Sequence, residues 1–205
     1  MSYLKIAEHY KKCFERHGDN HLGVDWPKYE DTLTRYKIML EVIKPEDNIS
    51  TFLDFGCGTS ALYSYYLSDN PNNKIKYSGL DINKEFVDKS KIKFPEQTFY
   101  HKDILVDNDL PNFDYIVCNG TFTEKRELSY DDMWEFFTTT IKILWDKCDK
   151  GIAFNLMSKH VDWERDDLFH VSLDELGWFL KNNLSRNFTI RNDYRLYEYT
   201  TYVYK

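Results

Sequence analysis

Thr51-Phe52-Leu53-Asp54-Phe55-Gly56-Cys57-Gly58-Thr59-Ser60 is the stretch that decides the fold. Its apolar first half predicts the end of a buried β-strand, and Gly56 and Gly58 predict a sharp turn after it. Thr59 or Ser60 can then cap a following helix. Because glycine accepts positive φ angles and a helix N-terminus presents N–H groups, this stretch predicts a turn that binds a nucleotide-like ligand.

Strands and helices alternate on the C-terminal side of this turn, which predicts a parallel sheet covered by helices on both faces. The predicted strands are 51–55, 76–81, 98–101, 113–118 and 151–157, and the predicted helices are 60–69, 84–93, 130–147 and 173–184. Two β-rich runs, 187–191 and 196–204, follow with a short connection between them. A short connection predicts an antiparallel pair, since a parallel crossover needs a dozen or more residues.

On the N-terminal side, apolar side chains recur at helical spacing in residues 2–17 and 28–44. The polar segment between these two predicted helices is expected to be a loop. The 205 residues predict a single domain over 1–205, with a helical cap at 1–48 and an α/β core at 49–205.

Composition narrows the possible partners. The net charge of −7 argues against a nucleic-acid partner, which usually requires a clustered basic face. The mixed-sign run 124–127 is expected at the surface. The four cysteines form no C-x-x-C pair, so we expect neither a metal site nor disulfides, and we place the chain in the reducing cytoplasm. No apolar run reaches membrane-spanning length, so no membrane partner is expected, and the sequence indicates no oligomeric state.

Three carboxylates follow successive predicted strands: Asp54, Asp81 and Asp103. The carboxyl ends of parallel strands meet at one edge of a sheet, where ligands of doubly wound folds bind. An acid after the second strand can accept hydrogen bonds from a ribose diol, and one after the third from an adenine amino group. The spacing of Gly56, Gly58 and Ala61 also satisfies the dinucleotide pattern of NAD-dependent oxidoreductases, which stays an alternative. The position of Asp54, the N-terminal cap and the antiparallel end of the sheet oppose it.

With these residues in place, the sequence resembles the class I S-adenosylmethionine-dependent methyltransferases. Residues 53–60 are similar to the first motif of that family, Gly79-Leu80-Asp81 to the second, Lys102-Asp103-Ile104 to the third, and 113–122 to the fourth strand and its active-site loop. The resemblance covers about residues 50–204. It implies a Rossmann-like, seven-stranded, mostly parallel sheet with an antiparallel last strand, and S-adenosylmethionine as cofactor with S-adenosylhomocysteine as product. Ser60 departs from the pattern, because a third glycine is common there.

The resemblance also implies where the ligands lie. The residues expected to bind the cofactor are Arg35, Asp54, Gly56, Cys57, Gly58, Asp81, Ile82, Asp103, Ile104, Asn119 and Gly120. The acceptor is expected between the cap and the loops after the fourth and fifth strands. We expect substrate contacts from His17, Asp19, Thr121, Phe122 and Asn155, and catalysis from His21 and His160; Tyr10 or Phe122 could face the sulfonium.

Two stretches of the sequence bear on the acceptor. Residues 119–122 lack the prolines found at this position in adenine-N6 DNA methyltransferases, which disfavours a DNA base. Residues 151–157 and 193–200 are similar to small bacterial methyltransferases of surface-polysaccharide (capsule or O-antigen) gene clusters. This similarity implies methylation of an O or N atom of a small polar acceptor: a sugar, a sugar nucleotide or a capsule precursor of the phosphoramidate type. A catalytically inactive, methyltransferase-like binding subunit is a further alternative, because fold does not fix function.

Overall fold

Six α-helices and eight β-strands make up the computed structural model, which describes residues 3–47, 49–70 and 73–205. The helices are α1 (Leu4–His17), α2 (Tyr29–Leu40), α3 (Ala61–Asp69), α4 (Lys84–Lys93), α5 (Tyr130–Asp146) and α6 (Leu173–Asn183). The strands are β1 (Ser50–Phe55), β2 (Ile75–Asp81), β3 (Thr98–His101), β4 (Phe113–Cys118), β5 (Cys148–Ser158), β6 (His170–Val171), β7 (Phe188–Arg191) and β8 (Glu198–Tyr204). Ser2, the first residue of the first predicted helix, and Asn48, the last of the predicted cap, lie outside the described residues.

The sheet has the predicted Rossmann-like arrangement. Its strand order is β3-β2-β1-β4-β5-β8-β7, and the two-residue β6 pairs with β5 outside this path. The strands from β3 to β5 are parallel, whereas β8 is antiparallel to both β5 and β7. The short connection at the C-terminus therefore produces the antiparallel pair that was expected. The short β6 was not predicted.

Strand β1 lies within the sheet and is buried on both faces, where its apolar side chains Phe52, Leu53 and Phe55 are covered by helices. Phe52 and Leu53 are both fully buried and face opposite sides of the sheet. Phe52 packs with residues of α2 and α3, and Leu53 packs with residues of α5 and α6. The core thus has one layer on each face of the sheet and fixes the turn that follows β1 at the sheet's carboxyl edge.

The cap differs in detail from the expectation. Residues His21–Val24, inside the predicted loop, form a short 3₁₀ helix, and the Asn20 side chain accepts a hydrogen bond from its Leu22 N–H. In α1 the buried residue is Ile6, while Leu4 is 43% exposed. None of the described helices combines the length and apolarity needed to cross a bilayer.

Candidate active site

A cavity of about 600 Å³ lies at the carboxyl edge of the sheet, under the cap. Three parts of the chain line it: the segments that follow β1 to β4, the cap with α1 and the 3₁₀ helix, and the facing sides of α2 and α3. Most of the predicted site residues are brought together here. They are Asp19, His21, Asp54, Gly56, Cys57, Gly58, Asp81, Ile82, Asp103, Ile104, Asn119, Gly120 and Thr121.

The glycine turn is tied to the neighbouring strand. Gly56 has a φ of +73°, and a Cβ on it would lie 2.5 Å from Thr121 Oγ1, so no larger residue fits. The Gly56 and Cys57 N–H groups both donate to the Leu80 carbonyl at 2.8 and 3.0 Å. The Gly58 N–H donates to Asp81 Oδ2 at 2.9 Å. These amides hold the turn against β2, so the turn presents a rigid backbone surface to the cavity rather than three unused donors.

Ser60, the departure from the family pattern, has a φ of +59° in the left-handed region. Glycine reaches this region without strain, which gives a physical reason for the third glycine of the pattern. The serine occupies the N-cap position of α3, as one of the two predicted cap residues, but its side chain makes no capping hydrogen bond. Its hydroxyl instead donates to Ser90 on α4 at 2.9 Å, which fastens α4 beside the turn.

The three strand-end carboxylates line the cavity in different environments. Asp81 Oδ1 accepts the Asn83 N–H at 2.8 Å, and burial raises the pKa of this carboxyl to about 6. Asp54 accepts the Tyr77 hydroxyl at 2.8 Å, and burial raises its pKa to about 7. Asp103 accepts the Tyr3 hydroxyl at 2.7 Å. Because a carboxylate oxygen has two lone pairs, Asp81 can still accept hydrogen bonds from a bound diol.

Asn119 marks a further ligand contact. Its Oδ1 is buried in the cavity wall and has no hydrogen-bond partner among the described residues. A buried, unsatisfied polar atom costs about 1–3 kcal/mol, so a ligand that donates a hydrogen bond here would recover that cost. The neighbouring Gly120 N–H is held by Asn155 Oδ1 at 2.7 Å. The amino group of a cofactor such as S-adenosylmethionine could donate this hydrogen bond to Asn119 Oδ1.

His21 lines the cavity in a defined tautomer. Its Nδ1 lies 2.6 Å from the Trp26 carbonyl oxygen, which can only accept. Nδ1 therefore carries the proton, and in the neutral imidazole Nε2 holds a lone pair. This arrangement leaves Nε2 as the ring nitrogen that can accept a proton.

A polar network closes the cap onto the loop after β4. His9 Nε2 lies 2.7 Å from Asp25 Oδ2 and 3.6 Å from Glu124 Oε2, and Arg126 Nη1 lies 3.3 Å from the same Glu124 oxygen. Glu124 was expected at the surface but is buried, and burial raises its pKa to about 7. His9, Asp25 and Cys13 offer ligand atoms within 4.8 Å of one another, a grouping that could hold a metal ion. Arg126 already brings positive charge to this network.

Five predicted site residues do not line the cavity. The buried Asn155 supports Gly120 from behind and donates through Nδ2 to Glu198. Phe122 is fully buried and stacks on Phe55 in the core. The Arg35 guanidinium pairs with the buried Glu198 at 2.9 Å, an ion pair within the protein. The other two are the histidines His17 and His160.

Sequence reasoning missed most of the aromatic lining. Tyr10 was predicted near the ligands and does line the cavity. Five further aromatic residues line it that were not predicted: Tyr3, Trp26, Tyr29, Tyr36 and Tyr65. The high tyrosine content, 16 residues, was the available signal, but it does not say which rings face a cavity. These residues come from the residue before α1, from α1, α2 and α3, and from the loop before α2, and only tertiary packing brings them together.

The chain is similar to known methyltransferases. A family model described as a methyltransferase domain matches residues 53–145. The protein is 29% identical over 159 residues to Rv1506c of Mycobacterium tuberculosis, which is named as a methyltransferase; the alignment covers 74% of this chain and 91% of that one. It is also 25% identical over 115 residues to ribosomal RNA large subunit methyltransferase G of Vibrio vulnificus, covering 53% of this chain and 30% of that protein.

A solved structure shares the fold. The magnesium protoporphyrin IX methyltransferase of Synechocystis PCC 6803, crystallised with bound S-adenosylmethionine, superposes with a TM-score of 0.65. The match covers 100% of this chain and 97% of that one, at 14% sequence identity. At this identity the similarity shows the fold alone, and the acceptor of that enzyme does not transfer to this chain.

Proposed function

We propose that this chain transfers a methyl group from S-adenosylmethionine to an O or N atom of a small polar acceptor bound under the cap. The observation that supports this most directly is the shared cavity. The glycine turn, Asp81, Asp103 and Asn119 line one wall, and His21 lines the cap side of the same space. A donor held by the first group and an acceptor placed by the second would therefore be neighbours.

The cofactor residues divide by chemistry. Asp81 would accept hydrogen bonds from the ribose hydroxyls, and Asp103 with Ile82 and Ile104 would hold the adenine. Asn119 Oδ1 would accept from the amino group of the methionine part. When bound, the cofactor supplies an electrophilic methyl group on sulfur. The chain's contribution is to hold the acceptor in line with that methyl group, which can lower a barrier by roughly 7–11 kcal/mol.

His21 is the proposed general base for a hydroxyl acceptor. The Trp26 carbonyl fixes its Nδ1–H, so Nε2 can take the acceptor's proton as the oxygen attacks. An amine acceptor would need only to be neutral when it attacks. His160, the other proposed catalytic residue, lies outside the cavity lining.

The acceptor class rests on two arguments. The similarity to enzymes of surface-polysaccharide clusters favours a sugar, a sugar nucleotide or a capsule precursor. The ribosomal RNA methyltransferase relative suggests RNA as a second candidate. The net charge of −7 and the carboxylate-rich cavity favour the small acceptor over RNA. The four cysteines are unpaired, which supports action in the reducing cytoplasm.

Two measurements test the proposal. Calorimetry should show that S-adenosylhomocysteine binds and that NAD does not. Transfer of a labelled methyl group from S-adenosylmethionine into fractionated bacterial metabolites, with ribosomal RNA as a separate arm, should label a small molecule. Labelling of the RNA alone would overturn the acceptor class. Cofactor binding with no transfer to either arm would favour the inactive binding subunit.

A further inference from the structure

An aromatic chamber forms the part of the cavity between α2 and α3. We define it by Trp26, Tyr29, Leu33, Tyr36 and Tyr65, all of which line the cavity. The ring centroids of Trp26 and Tyr36 are 5.8 Å apart, and those of Tyr36 and Tyr65 are 5.7 Å apart. The rings thus form a continuous apolar wall. This wall is formed by other elements than those that carry Asp81 and Asp103, the proposed contacts of the cofactor.

The cavity has little to offer an anion. Its two described lysines are both engaged: Lys93 pairs with Asp19 at 2.8 Å, and Lys102 pairs with Asp107 at 2.7 Å. Arg35 lies over the Trp26 ring at 5.1 Å, but its charge is matched by Glu198. Of the carboxyl groups that line the cavity, Asp19 is matched by Lys93, whereas Asp54, Asp81 and Asp103 form no ion pair with a described lysine or arginine. A phosphate placed here would meet like charge with no unpaired cation among the described lining residues.

We propose that the aromatic chamber binds an uncharged, ring-bearing acceptor and rejects its phosphorylated form. This rests on the proposed function and narrows it, because it removes sugar nucleotides and phosphoramidate precursors from the possible acceptors. The flat face of the acceptor ring, a sugar's C–H face or an aromatic π face, packs against the tyrosines. The ring centroids of His21 and Tyr29 are 5.8 Å apart, so the proposed base borders the chamber.

Saturation-transfer NMR on the protein loaded with S-adenosylhomocysteine tests this proposal. The probes are matched pairs: glucose and glucose 6-phosphate, ribose and ribose 5-phosphate, phenol and phenyl phosphate. We expect the neutral member of at least one pair to bind at least tenfold more tightly than its phosphate. The sugar and phenol arms distinguish the two kinds of ring.

Three variants make the result specific to the chamber. Tyr65→Ala should abolish the signal of the neutral ring. Trp178→Ala removes an aromatic ring that is 62% exposed on α6, outside the cavity, and should leave the signal unchanged. Leu33→Arg adds a cation to the chamber and should shift the preference toward the phosphate.

Each outcome decides the question. Equal or tighter binding of the phosphates by the wild type would overturn the proposal. So would the absence of any neutral-ring signal that depends on Tyr65. Calorimetry of S-adenosylhomocysteine on the same samples separates the two levels. If the cofactor product binds while the chamber test fails, the methyltransferase assignment stands and only the acceptor class is wrong.

Discussion

The strand-end wall of the cavity and its cap wall are built in different ways. In the strand-end wall, each contact residue follows a strand within a few positions: Asp54, Asp81 and Asp103 come at or just after the ends of β1, β2 and β3. In the cap wall, contacts join distant parts of the chain. Tyr10 donates to the Gly120 carbonyl at 3.4 Å, across 110 positions of sequence. The first wall follows from strand order, and the second depends on how a helical cap packs.

This difference separates two tasks of the molecule. The strand-end wall is held by backbone hydrogen bonds, such as those from the turn to Leu80 and Asp81, and offers fixed groups to a constant cofactor. The cap wall is held by side chains and contains the aromatic rings that would select an acceptor. Substitutions in the two walls should therefore separate cofactor affinity from turnover.

The sharpest separation is expected from His21→Gln. Loss of a general base typically slows turnover by about 10²–10⁴-fold, and the cofactor wall is untouched by the change. With a hydroxyl acceptor we expect kcat to fall by this factor while the affinity for S-adenosylhomocysteine stays the same. The measurement is steady-state methyl transfer across pH 5–9 together with calorimetry.

His17→Gln is the matched control, because this histidine lies on the exposed end of α1 outside the cavity lining and should retain full activity. Unchanged kcat in His21→Gln would remove this residue from the mechanism. A loss of cofactor affinity in the same variant would break the separation of the two walls.

Asp81→Ala should give the opposite pattern. The substitution removes the proposed ribose acceptor and also the partner of the Gly58 and Asn83 N–H groups. Hydrogen bonds to a charged group contribute about 1.5–3 kcal/mol, so the affinity for S-adenosylhomocysteine should fall about 10- to 100-fold by calorimetry.

Asp88→Ala removes an exposed carboxylate of α4 that pairs with Lys84, and it should bind like the wild type. Circular dichroism of both variants checks that the helices are intact. A folded Asp81→Ala protein with wild-type affinity would contradict the assignment of the ribose site.

The two walls also explain what the sequence could predict. The glycine turn, the strand-end acids and the antiparallel pair each depend on short-range patterns, so the sheet and most of the proposed cofactor contacts could be placed from the sequence. Arg35 shows what short-range sequence patterns cannot predict. A cation on the helix before β1 looked available for the cofactor, but Glu198, which lies 163 positions later in β8, pairs with it. Glu124 is a second example, because the mixed-charge run 124–127 does not indicate that the cap buries the Glu124 side chain.

Gly120 is where the two walls meet, and its substitution should affect both fold and turnover. Its φ is +80°, and a Cβ on it would lie 2.7 Å from Trp26 Cζ2. Gly120→Ala should therefore lower the free energy of unfolding by about 1–3 kcal/mol and displace Trp26 from the chamber. Urea unfolding and methyl-transfer rates measure the two effects.

Gly177→Ala provides the control for a glycine substitution. Gly177 lies within α6, and a Cβ there would have no atom within 4 Å, so the change should stabilise the protein by up to about 1 kcal/mol. Equal effects of the two substitutions would mean that Trp26 does not rest on Gly120.

Asp54→Asn is expected to change the pH dependence of stability. The folded pKa of about 7 lies above the unfolded value near 3.9, so the folded state holds this proton more tightly. The contribution to stability is complete below about pH 4 and is lost as pH rises through about 7. The wild-type protein should therefore lose up to about 1.4 kcal/mol of unfolding free energy per pH unit from this group between roughly pH 5 and 7.

The neutral asparagine of the variant cannot titrate, and its amide oxygen can still accept the hydrogen bond from Tyr77. Urea unfolding at pH 5, 6 and 7 should show a flatter profile for the variant. A slope identical to wild type would mean that Asp54 is ionised throughout this range in the folded protein. Asp81 and Glu124 contribute with the same sign, so the difference between the two profiles, rather than either slope alone, isolates Asp54.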